Sequence, residues 1–411
     1  MSFAKPAGAR EAWRTNKTVM VPEASALCMI AVIRSLGRAG YQVHACSSDA
    51  SALGLRSSFA TQSAVHPPYS DPGFLPWLSR YIKTHNVEAI VPSEGFLIAV
   101  RPVFSEVRSL LTIGPDEETI YRCFSKQEVL EQFIDSPGDH GLQENLPPSC
   151  VWKAGRPFPD ARELEQLGLP LFIKADGVDA VYGGPGAVVR AQTAEEAVEA
   201  LRKLGSSYSS VLVQGFVPGT RVVANFCIWK GEVVCRSMMV AKHENPHYGG
   251  VSTLRSVTWQ DDLALDAEKK LRHLGLEGVA MMEYRRDLRT GRFYFIEINA
   301  RYWLGLHVEI MSGIDIPLIQ MDAFFDRCIS APDPCRKATL VRYTIPGDIG
   351  YVLSLLKDKA ISLKRKTWAV IEFILLCLAP RIKSDFNFPG DRKLYYLAFF
   401  RFCWSTLLRR P

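Results

Sequence analysis

The stretch FYFIEINARYWLGLH, residues 293–307, constrains this chain most, because a mostly apolar strand in it carries polar side chains. Glu297 and Asn299 lie two residues apart, and side chains two apart on a strand point to the same face. Arg301 takes the next such position if the strand continues. Burying a polar group without a partner costs about 2–7 kcal/mol. We therefore expect these side chains to bind something.

A strand that precedes this one supplies another carboxylate. The segment VAMMEYRRDLRTGRFYFIEINA, residues 279–300, predicts two strands around the turn DLRTG, with Glu283 and Glu297 at similar distances from that turn. Opposite residues of an antiparallel pair are neighbours on one face, so both carboxylates should converge with Asn299. Such oxygen ligands suit Mg²⁺ or Mn²⁺, which would relieve the repulsion between the carboxylates. The alternative is that Lys or Arg side chains neutralise the pair.

A segment upstream of the hairpin has the features of a phosphate-binding site. Lys174 stands near the end of the predicted strand LPLFIKADG, and the stretch GGPGAVV follows with Gly183, Gly184 and Gly186. Glycines let backbone N–H groups approach a phosphate without interference from side chains. Because Mg²⁺ is usually held by one or two carboxylates and by substrate phosphates, this segment complements the carboxylate hairpin. Taken alone, it predicts a plain surface hairpin equally well.

The N-terminal part alternates strands and helices. The segment KTVMVP (17–22) predicts a first strand. Residues 23–40 predict a helix that ends at Gly40, and YQVHAC (41–46) predicts a second strand. A further helix and strand follow before residue 115. This alternation indicates a parallel sheet covered by helices. The first turn lacks GxGxxG, so the sequence does not call for a dinucleotide.

Length and cysteine content indicate the number of domains and the cellular compartment. The 411 residues are enough for two or three domains. The ten cysteines are scattered without a CxxC pair, which indicates reduced thiols and a cytoplasmic protein. Residues 1–17 have no apolar core, so we expect a disordered arm there and not a secretory signal.

The C-terminal part is basic and apolar. The net charge of the chain is +6, but residues 341–411 hold 13 Lys or Arg and 5 Asp or Glu. TWAVIEFILLCLAP (367–380) and KLYYLAFFRFCWSTLLRR (393–410) are too short or too interrupted by charge for an ordinary membrane span. Two interpretations stay open: helices packed on the main body, or an anchor on an anionic membrane surface. The predicted catalytic region contains no basic stripe, so the sequence does not indicate nucleic-acid binding.

Over roughly residues 18–330 the chain resembles the ATP-grasp superfamily. The matches run in order through IGPDEETIYRCFSKQEVLEQF, LPLFIKADG, GGPGAVV, VLVQGFVPGT and the E-x-N-x-R signature of Glu297, Asn299 and Arg301. The resemblance implies that Lys126 and Lys174 bind the nucleotide and that the glycine loop closes over its phosphates. Adenine would be read largely by backbone groups, at positions Gln214, Gly215, Phe216 and Val217.

Within this superfamily, EINARYWLGL with GIDIP downstream resembles the carboxylate–amine ligase branch. The resemblance implies that ATP and Mg²⁺ (or Mn²⁺) are required. A small-molecule carboxylate would be activated as an acyl phosphate and joined to an amine, with release of ADP and phosphate. Glu283, Glu297 and Asn299 would hold the metal, and the catalytic Arg301 would steady the transferring group. Gln214 and Arg221 depart from the acidic residues common at their positions, which leaves nucleotide affinity open.

The expected fold class is α/β, with α+β character in the ATP-grasp part. We expect a Rossmann-like domain at 18–115, an ATP-grasp domain at 116–340 and a helical extension at 341–411. A homodimer and a peripheral contact with the inner face of the membrane stay open. So do two other functions: an ATP-grasp phosphotransferase that forms no amide, and a non-catalytic nucleotide sensor. Lys242, His243 and Arg255 are candidates for holding a substrate carboxylate.

Overall fold

The structure, a computed structural model, describes residues 11–136, 140–181, 186–327, 332–334 and 339–408. The chain divides into two compact units that alternate along the sequence. The first unit contains the residues up to Ile113, Phe226–Trp259 and the residues from Arg301 onward, and the second contains Gly114–Asn225 and Gln260–Ala300. The predicted α/β fold class is confirmed.

The secondary structure follows in chain order. The strands are β1 (Thr18–Val21), β2 (Gln42–Ser47), β3 (Gln62–Val65), β4 (Ala89–Ile90), β5 (Ser149–Lys153), β6 (Leu171–Ala175), β7 (Ala187–Ala191), β8 (Ser210–Gly215), β9 (Thr220–Trp229), β10 (Glu232–Asn245), β11 (Val251–Val257), β12 (Gly278–Arg286), β13 (Phe293–Asn299), β14 (Leu340–Arg342) and β15 (Lys383–Ser384). The helices are α1 (Leu27–Ala39), α2 (Phe74–His85), α3 (Glu94–Val100), α4 (Phe104–Val107), α5 (Glu117–Arg122), α6 (Lys126–Ile134), α7 (His140–Gln143), α8 (Ala161–Glu165), α9 (Ala194–Gly205), α10 (Asp261–Leu274), α11 (His307–Ser312), α12 (Ile316–Phe324), α13 (Ile349–Lys357), α14 (Leu363–Leu378) and α15 (Lys393–Leu408).

A parallel sheet forms the N-terminal part of the first unit. Its strands run in the order β3-β2-β1-β4, and every neighbouring pair is parallel. Helix α1 ends at Gly40, whose φ of 104° lies in the left-handed region that favours glycine. The parallel sheet and this helix end are as predicted. Strand β3 was not predicted, because its side chains are partly buried or exposed and leave little hydrophobic signal.

The first unit also holds the C-terminal part of the chain, which is helical as predicted. Strand β14 pairs antiparallel with β11, and β15 pairs parallel with β14. Buried ion pairs fix this part to earlier elements: Arg34 of α1 donates from Nε to Asp391 at 2.9 Å, with both side chains fully buried. Arg255 of β11 is likewise paired with Asp385, and both are fully buried. One side of the C-terminal part is therefore packed on the unit.

The second unit contains an antiparallel sheet in the order β5-β8-β6-β7. Helices α8 and α9 bury their apolar sides against it, and Leu164 and Leu201 are completely enclosed. The predicted N-cap of α9 is confirmed, because the Thr193 hydroxyl accepts a hydrogen bond from the Glu196 N–H at 3.2 Å. This sheet presents Lys174 and Gln214 on adjacent strands.

The second unit also contains the β12–β13 hairpin, and β9 runs next to β12. Strand β9 begins in this unit at Thr220 and ends in the first unit at Trp229. Residues 226–259 and 301–340 lie within the predicted ATP-grasp domain (116–340) but belong to the first unit. The three-domain division stays a prediction. Within the part of the chain that the structure describes, no helix is long and apolar enough to cross a membrane.

Candidate functional site

The two predicted carboxylates stand opposite each other on the β12–β13 hairpin. Glu283 pairs in register with Glu297, and Met281 pairs with Asn299. A register shift after Glu283 marks a bulge in the ladder at the same place. The expectation that the hairpin brings these two carboxylates together is confirmed. The metal role assigned to them stays a prediction.

Glu283 lies in a buried position beside a guanidinium. Its side chain is 7% exposed, and its Oε1 lies 3.0 Å from Nε of Arg221 on β9. Burial raises the pKa of Glu283, and the neighbouring Glu297 charge raises it further, while the Arg221 charge lowers it. Arg221 is one of the residues that depart from the superfamily pattern, and here it offsets the charge of a carboxylate.

Glu297 is surrounded by positive charge. Its Oε2 lies 3.7 Å from Nζ of Lys126. Burial acts to raise the pKa of Glu297, but the charges of Lys126 and Lys174 bring it down to about 2. Glu297 is therefore ionised at neutral pH and can serve as an anionic ligand.

Asn299 completes the polar face of β13. Its Nδ2 donates to Oε1 of Glu297 at 3.1 Å, which leaves its Oδ1 as the atom suited to contact a cation. Among the described residues, no three His, Cys, Asp or Glu side chains form a complete metal-binding cluster. A hard divalent ion fits the smaller set of two carboxylates and one amide oxygen, since Mg²⁺ takes its remaining ligands from water and phosphates.

Lys126 is held at the start of α6 by a residue that follows β6. Its backbone N–H donates to Oδ2 of Asp176 at 2.7 Å, and its Nζ donates to Oδ1 of the same carboxylate at 2.5 Å. Burial raises the pKa of Asp176, and the Lys126 charge lowers it. Asp176 therefore fixes the direction of the Lys126 side chain.

Lys174 is buried on β6, with 7% of the residue exposed. Its Nζ donates to Oε1 of Gln214 on the adjacent strand β8 at 2.8 Å. Burial lowers the pKa of Lys174, and the charges of Glu297 and Glu283 oppose that shift. The second unit thus brings both predicted lysines into the electrostatic field of the carboxylate hairpin.

The glycine loop lies largely outside the described residues, and these include neither Gly183 nor Gly184. Gly186 is described, and it approaches the end of β6 closely. A Cβ added there would stand 2.9 Å from the carbonyl oxygen of Ala175. Glycine at this position permits the close passage of the two chain segments.

The predicted adenine-reading segment leaves the end of β8. The Gly215 N–H donates to the carbonyl of Pro148 at 2.9 Å, and the Phe216 N–H donates to the carbonyl of Gly168 at 3.4 Å. Val217 is buried, whereas Phe216 is 43% exposed. Both N–H groups are used within the unit, and the adenine-reading role of the segment stays a prediction.

Arg301 belongs to the first unit. Strand β13 ends at Asn299, so the alternation of side chains does not extend to Arg301. Its Nε donates to Oε2 of Glu94 at 2.8 Å, and both side chains are 34% exposed. The catalytic role of Arg301 stays a prediction.

Two candidates for substrate binding have structural partners. Nδ1 of His243 lies 2.8 Å from Oδ1 of Asp348, and its ring stacks on Tyr351. Arg255 is paired with Asp385, as described above. Lys242 is exposed. His243 and Arg255 therefore act within the fold of the first unit.

Comparison with known proteins bears on the fold. No family profile matches the chain. It is 23% identical to biotin carboxylase 1 of Bacillus subtilis (strain 168) over 374 residues, 78% of each protein. Its structure is similar to that of an L-amino acid ligase from Bacillus licheniformis, with a TM-score of 0.53, 18% identity and coverage of 75% of this chain and 74% of that one.

A third similarity is to the biotin carboxylase domain of 2-oxoglutarate carboxylase from Hydrogenobacter thermophilus, a dimer in complex with MgADP, ADP and bicarbonate. The TM-score is 0.55, with 18% identity, and 77% of this chain and 71% of that chain are covered. These neighbours are ATP-grasp enzymes, as the resemblance in the sequence indicated. This chain has the ATP-grasp fold.

One contact on this ATP-grasp fold was missed from the sequence. Asp176 was not predicted to serve the site, although it holds Lys126. A signal was present in the sequence, because Asp176 stands two residues after Lys174 within the predicted strand LPLFIKADG, although the observed β6 ends at Ala175. What the sequence could not show is that the start of α6 lies beside the end of β6.

Proposed function

We propose that the protein is an ATP-dependent ligase that activates a carboxylate as an acyl phosphate and joins it to an amine. The proposal rests on one arrangement in the second unit. Glu283 and Glu297 stand opposite each other in register, and Nζ of Lys126 lies 3.7 Å from Oε2 of Glu297. Acidic and basic side chains in this combination can hold nucleotide phosphates together with a divalent cation. The similarity in fold to an L-amino acid ligase supports the same class of reaction.

The proposed reaction has two steps. A carboxylate oxygen of the first substrate attacks the γ-phosphorus of ATP, the bond from that phosphorus to the β–γ bridging oxygen breaks, and ADP leaves. The amine then attacks the acyl carbon, phosphate leaves with the electrons of the broken C–O bond, and the new ammonium loses a proton. Phosphoryl transfer depends mainly on positioning and charge neutralisation. Lys126 and Lys174 would bind the phosphates, and the glycine loop would exclude water.

The hairpin fits a divalent cation. Glu283, Glu297 and Asn299 would hold Mg²⁺ or Mn²⁺, which would supply neutralisation of phosphate charge when bound. Gln214 orients Lys174, and the Gln214–Val217 segment would bind adenine. Arg301 would steady the transferring phosphoryl group.

A different account of the same residues is that Arg221 and Lys126 alone neutralise the carboxylates. Arg221 lies 3.0 Å from Glu283, so this account also has support. Titration of the protein with Mn²⁺ and ADP, followed by electron paramagnetic resonance, separates the two. We expect bound Mn²⁺ that is lost in Glu297→Gln. Equal Mn²⁺ binding by the variant and the parent would leave neutralisation by basic side chains as the explanation.

The decisive experiment identifies the products. Pools of carboxylic acids and amines are screened for ADP release, and active pairs are analysed for amide, ADP, phosphate and AMP. We expect ADP and phosphate in amounts that match the amide formed. AMP and pyrophosphate as the stoichiometric products would exclude this ligase chemistry. A phosphorylated product without an amide would indicate the phosphotransferase, and ATP binding without turnover would indicate the sensor.

The remaining expectations belong to the same proposal. Small-molecule carboxylates and amines would be the partners, and the protein would act in the cytoplasm. Residues 18–115, 116–340 and 341–411 would serve as the N-terminal domain, the catalytic domain and the extension. Light scattering of the full chain would test for a homodimer. A peripheral contact with the inner face of the membrane would be the remaining expectation.

A further inference from the structure

Helix α14 exposes a row of large apolar side chains. Exposed fractions are 52% for Trp368, 43% for Ile371, 54% for Leu375 and 74% for Leu378. These residues recur three or four positions apart, which places them on one face of the helix. Ile374 lies beside them and is 53% exposed.

The other side of α14 is fixed to the first unit. Ala369 is buried against Tyr351 and Leu355 of α13. The Arg342 guanidinium lies 4.3 Å from the Phe373 ring centroid, and its Nη2 donates to the Phe373 carbonyl at 3.4 Å. The helix is therefore anchored along one side, and its exposed row is a defined surface of the fold.

Helix α15 repeats this arrangement. Leu394 is completely buried in a cluster with Leu27, and Tyr395 packs against the same cluster. On the exposed side, Tyr396, Phe400 and Trp404 follow at intervals of four residues, with exposed fractions of 59%, 65% and 67%. Both helices thus pack through one side and turn an aromatic or aliphatic row outward.

The charge that accompanies these rows is positive. Residues 341–411 contain 13 basic and 5 acidic side chains. Three of the acids, Asp348, Asp385 and Asp391, are buried and paired with arginines. The basic side chains flank the helices, as in the segment Lys364–Lys366 at the start of α14 and the pair Arg392 and Lys393 at the start of α15. One of the basic side chains, Arg342, is buried with Asp348, so the remainder of this segment keeps an excess of basic over acidic side chains.

We propose that the exposed rows of α14 and α15 dock on an anionic lipid surface, with each helix lying in the plane of the interface. Amphipathic helices with basic flanks and with Trp, Tyr and Phe on the apolar side bind such interfaces. A 16-residue helix is about 24 Å long, shorter than the apolar core of a bilayer, so it suits the interface and not a span. The inference does not depend on the ligase reaction proposed above.

Charge favours a lipid surface over a second copy of the chain. Two copies meeting through these rows would bring two basic surfaces together, and like charges repel. An anionic leaflet attracts basic residues and also accepts the apolar rows. The same charge argument identifies the lipid class, because neutral headgroups provide no such attraction.

The experiment is co-sedimentation of the full chain with vesicles. Vesicles of phosphatidylcholine alone are compared with vesicles of phosphatidylcholine and phosphatidylglycerol. We expect binding to the anionic vesicles, weakened by added salt because salt screens exposed charges. No sedimentation with either vesicle would overturn the proposal, and so would equal binding to both.

Variants assign the binding to these helices. In the double variant Ile374→Glu/Leu378→Glu we expect at least about tenfold weaker binding, since each side chain no longer gains from burial. The matched control is Leu265→Glu/Leu288→Glu, which places the same two charges on side chains of the second unit that are 71% and 78% exposed. Lys364→Glu/Lys366→Glu should weaken only the attraction to anionic vesicles. Equal thermal melting of all variants confirms that they fold.

A second copy of the chain as the occupant would give a different result. Analytical ultracentrifugation would then find a dimer that Ile374→Glu/Leu378→Glu converts to a monomer, without vesicle binding by either form. That outcome would overturn the lipid proposal. Trp404→Glu tests α15 separately, and unchanged vesicle binding in this variant would remove α15 from the proposed surface.

Discussion

Asp176 binds Lys126 at two atoms, accepting hydrogen bonds from its backbone N–H at 2.7 Å and from its Nζ at 2.5 Å. The two residues are 50 positions apart in sequence, so the contact ties the start of α6 to the end of β6. It aims a lysine at the carboxylate hairpin, where Glu297 lies 3.7 Å away. Asp176 therefore acts as a positioning residue for Lys126.

Asp176→Asn should weaken nucleotide binding. The amide keeps the size of the carboxylate but loses its charge, so Lys126 is no longer fixed by a charge-assisted hydrogen bond. We expect the KM for ATP to rise about tenfold, equivalent to about 1.4 kcal/mol, with a smaller change in kcat. Glu199→Gln, the same chemical change at an exposed site on α9, is the control. A lower kcat with an unchanged KM would contradict the positioning role.

Glu297→Gln should leave a folded protein without Mg²⁺-dependent ATP turnover. Its carboxylate is the one whose pKa falls to about 2, so at neutral pH it carries the charge that a divalent ion needs. Turnover is measured by ADP release across a range of Mg²⁺ concentrations, and circular dichroism checks the fold. Turnover at the level of the parent protein would refute the metal assignment.

Glu309 should make stability depend on pH. It is completely buried on α11, and burial raises its pKa to about 8, although the Arg255 charge opposes this. The folded state binds the proton of Glu309 more tightly than the unfolded state does. Protonated Glu309 therefore makes its full contribution to the free energy of unfolding below about pH 4.5, and this contribution is lost as pH rises through about 8. Glu309→Gln lacks the ionisation, so it should be more stable than the parent protein above pH 8, by on the order of 3–5 kcal/mol.

The measurement is the free energy of unfolding in urea at several pH values. The difference between Glu309→Gln and the parent should be small near pH 4.5 and should grow up to about pH 8. Other titrating groups are common to both proteins and cancel in this difference. A difference that does not vary with pH would show that Glu309 has an ordinary pKa.

Asp391→Asn should destabilise the first unit. Arg34 and Asp391 form a fully buried ion pair, and removing one charge leaves the other buried without compensation. Such changes cost about 3–5 kcal/mol in the free energy of unfolding. The control is Asp326→Asn, which removes a pair whose side chains are 66% and 69% exposed and which should cost less than about 1 kcal/mol. Similar losses in the two variants would argue against a special role for the buried pair.

Local patterns predicted the elements of this fold that depend on near neighbours in sequence. The distance of Glu283 and Glu297 from one turn was enough to place them opposite each other, because a hairpin fixes its own register. Gly40 and Thr193 likewise marked helix ends through their own conformations and hydrogen bonds. In each case the structure is specified within a single hairpin or a single helix end.

Contacts between distant segments could not be predicted in this way. Arg34 and Asp391 are separated by 357 residues, and neither position differs from an ordinary surface charge when the sequence is read alone. The same holds for Arg255, predicted as a candidate for substrate binding but paired with Asp385. A charged residue identifies its partner only after the fold has brought the two together.

Arg301→Ala should depress the yield of an intercepted intermediate. If the acyl phosphate forms, hydroxylamine should convert it to a hydroxamate from the correct acid alone. Arg301, whose Nε donates to Glu94 at 2.8 Å, is proposed to hold the transferring group. Losing one charged contact of this kind costs on the order of 2–4 kcal/mol, or about 10²–10³ in rate. Arg289→Ala removes an arginine that is 86% exposed and is the control. A hydroxamate yield in Arg301→Ala equal to that of the control would remove Arg301 from the mechanism without affecting the assignment of the lysines.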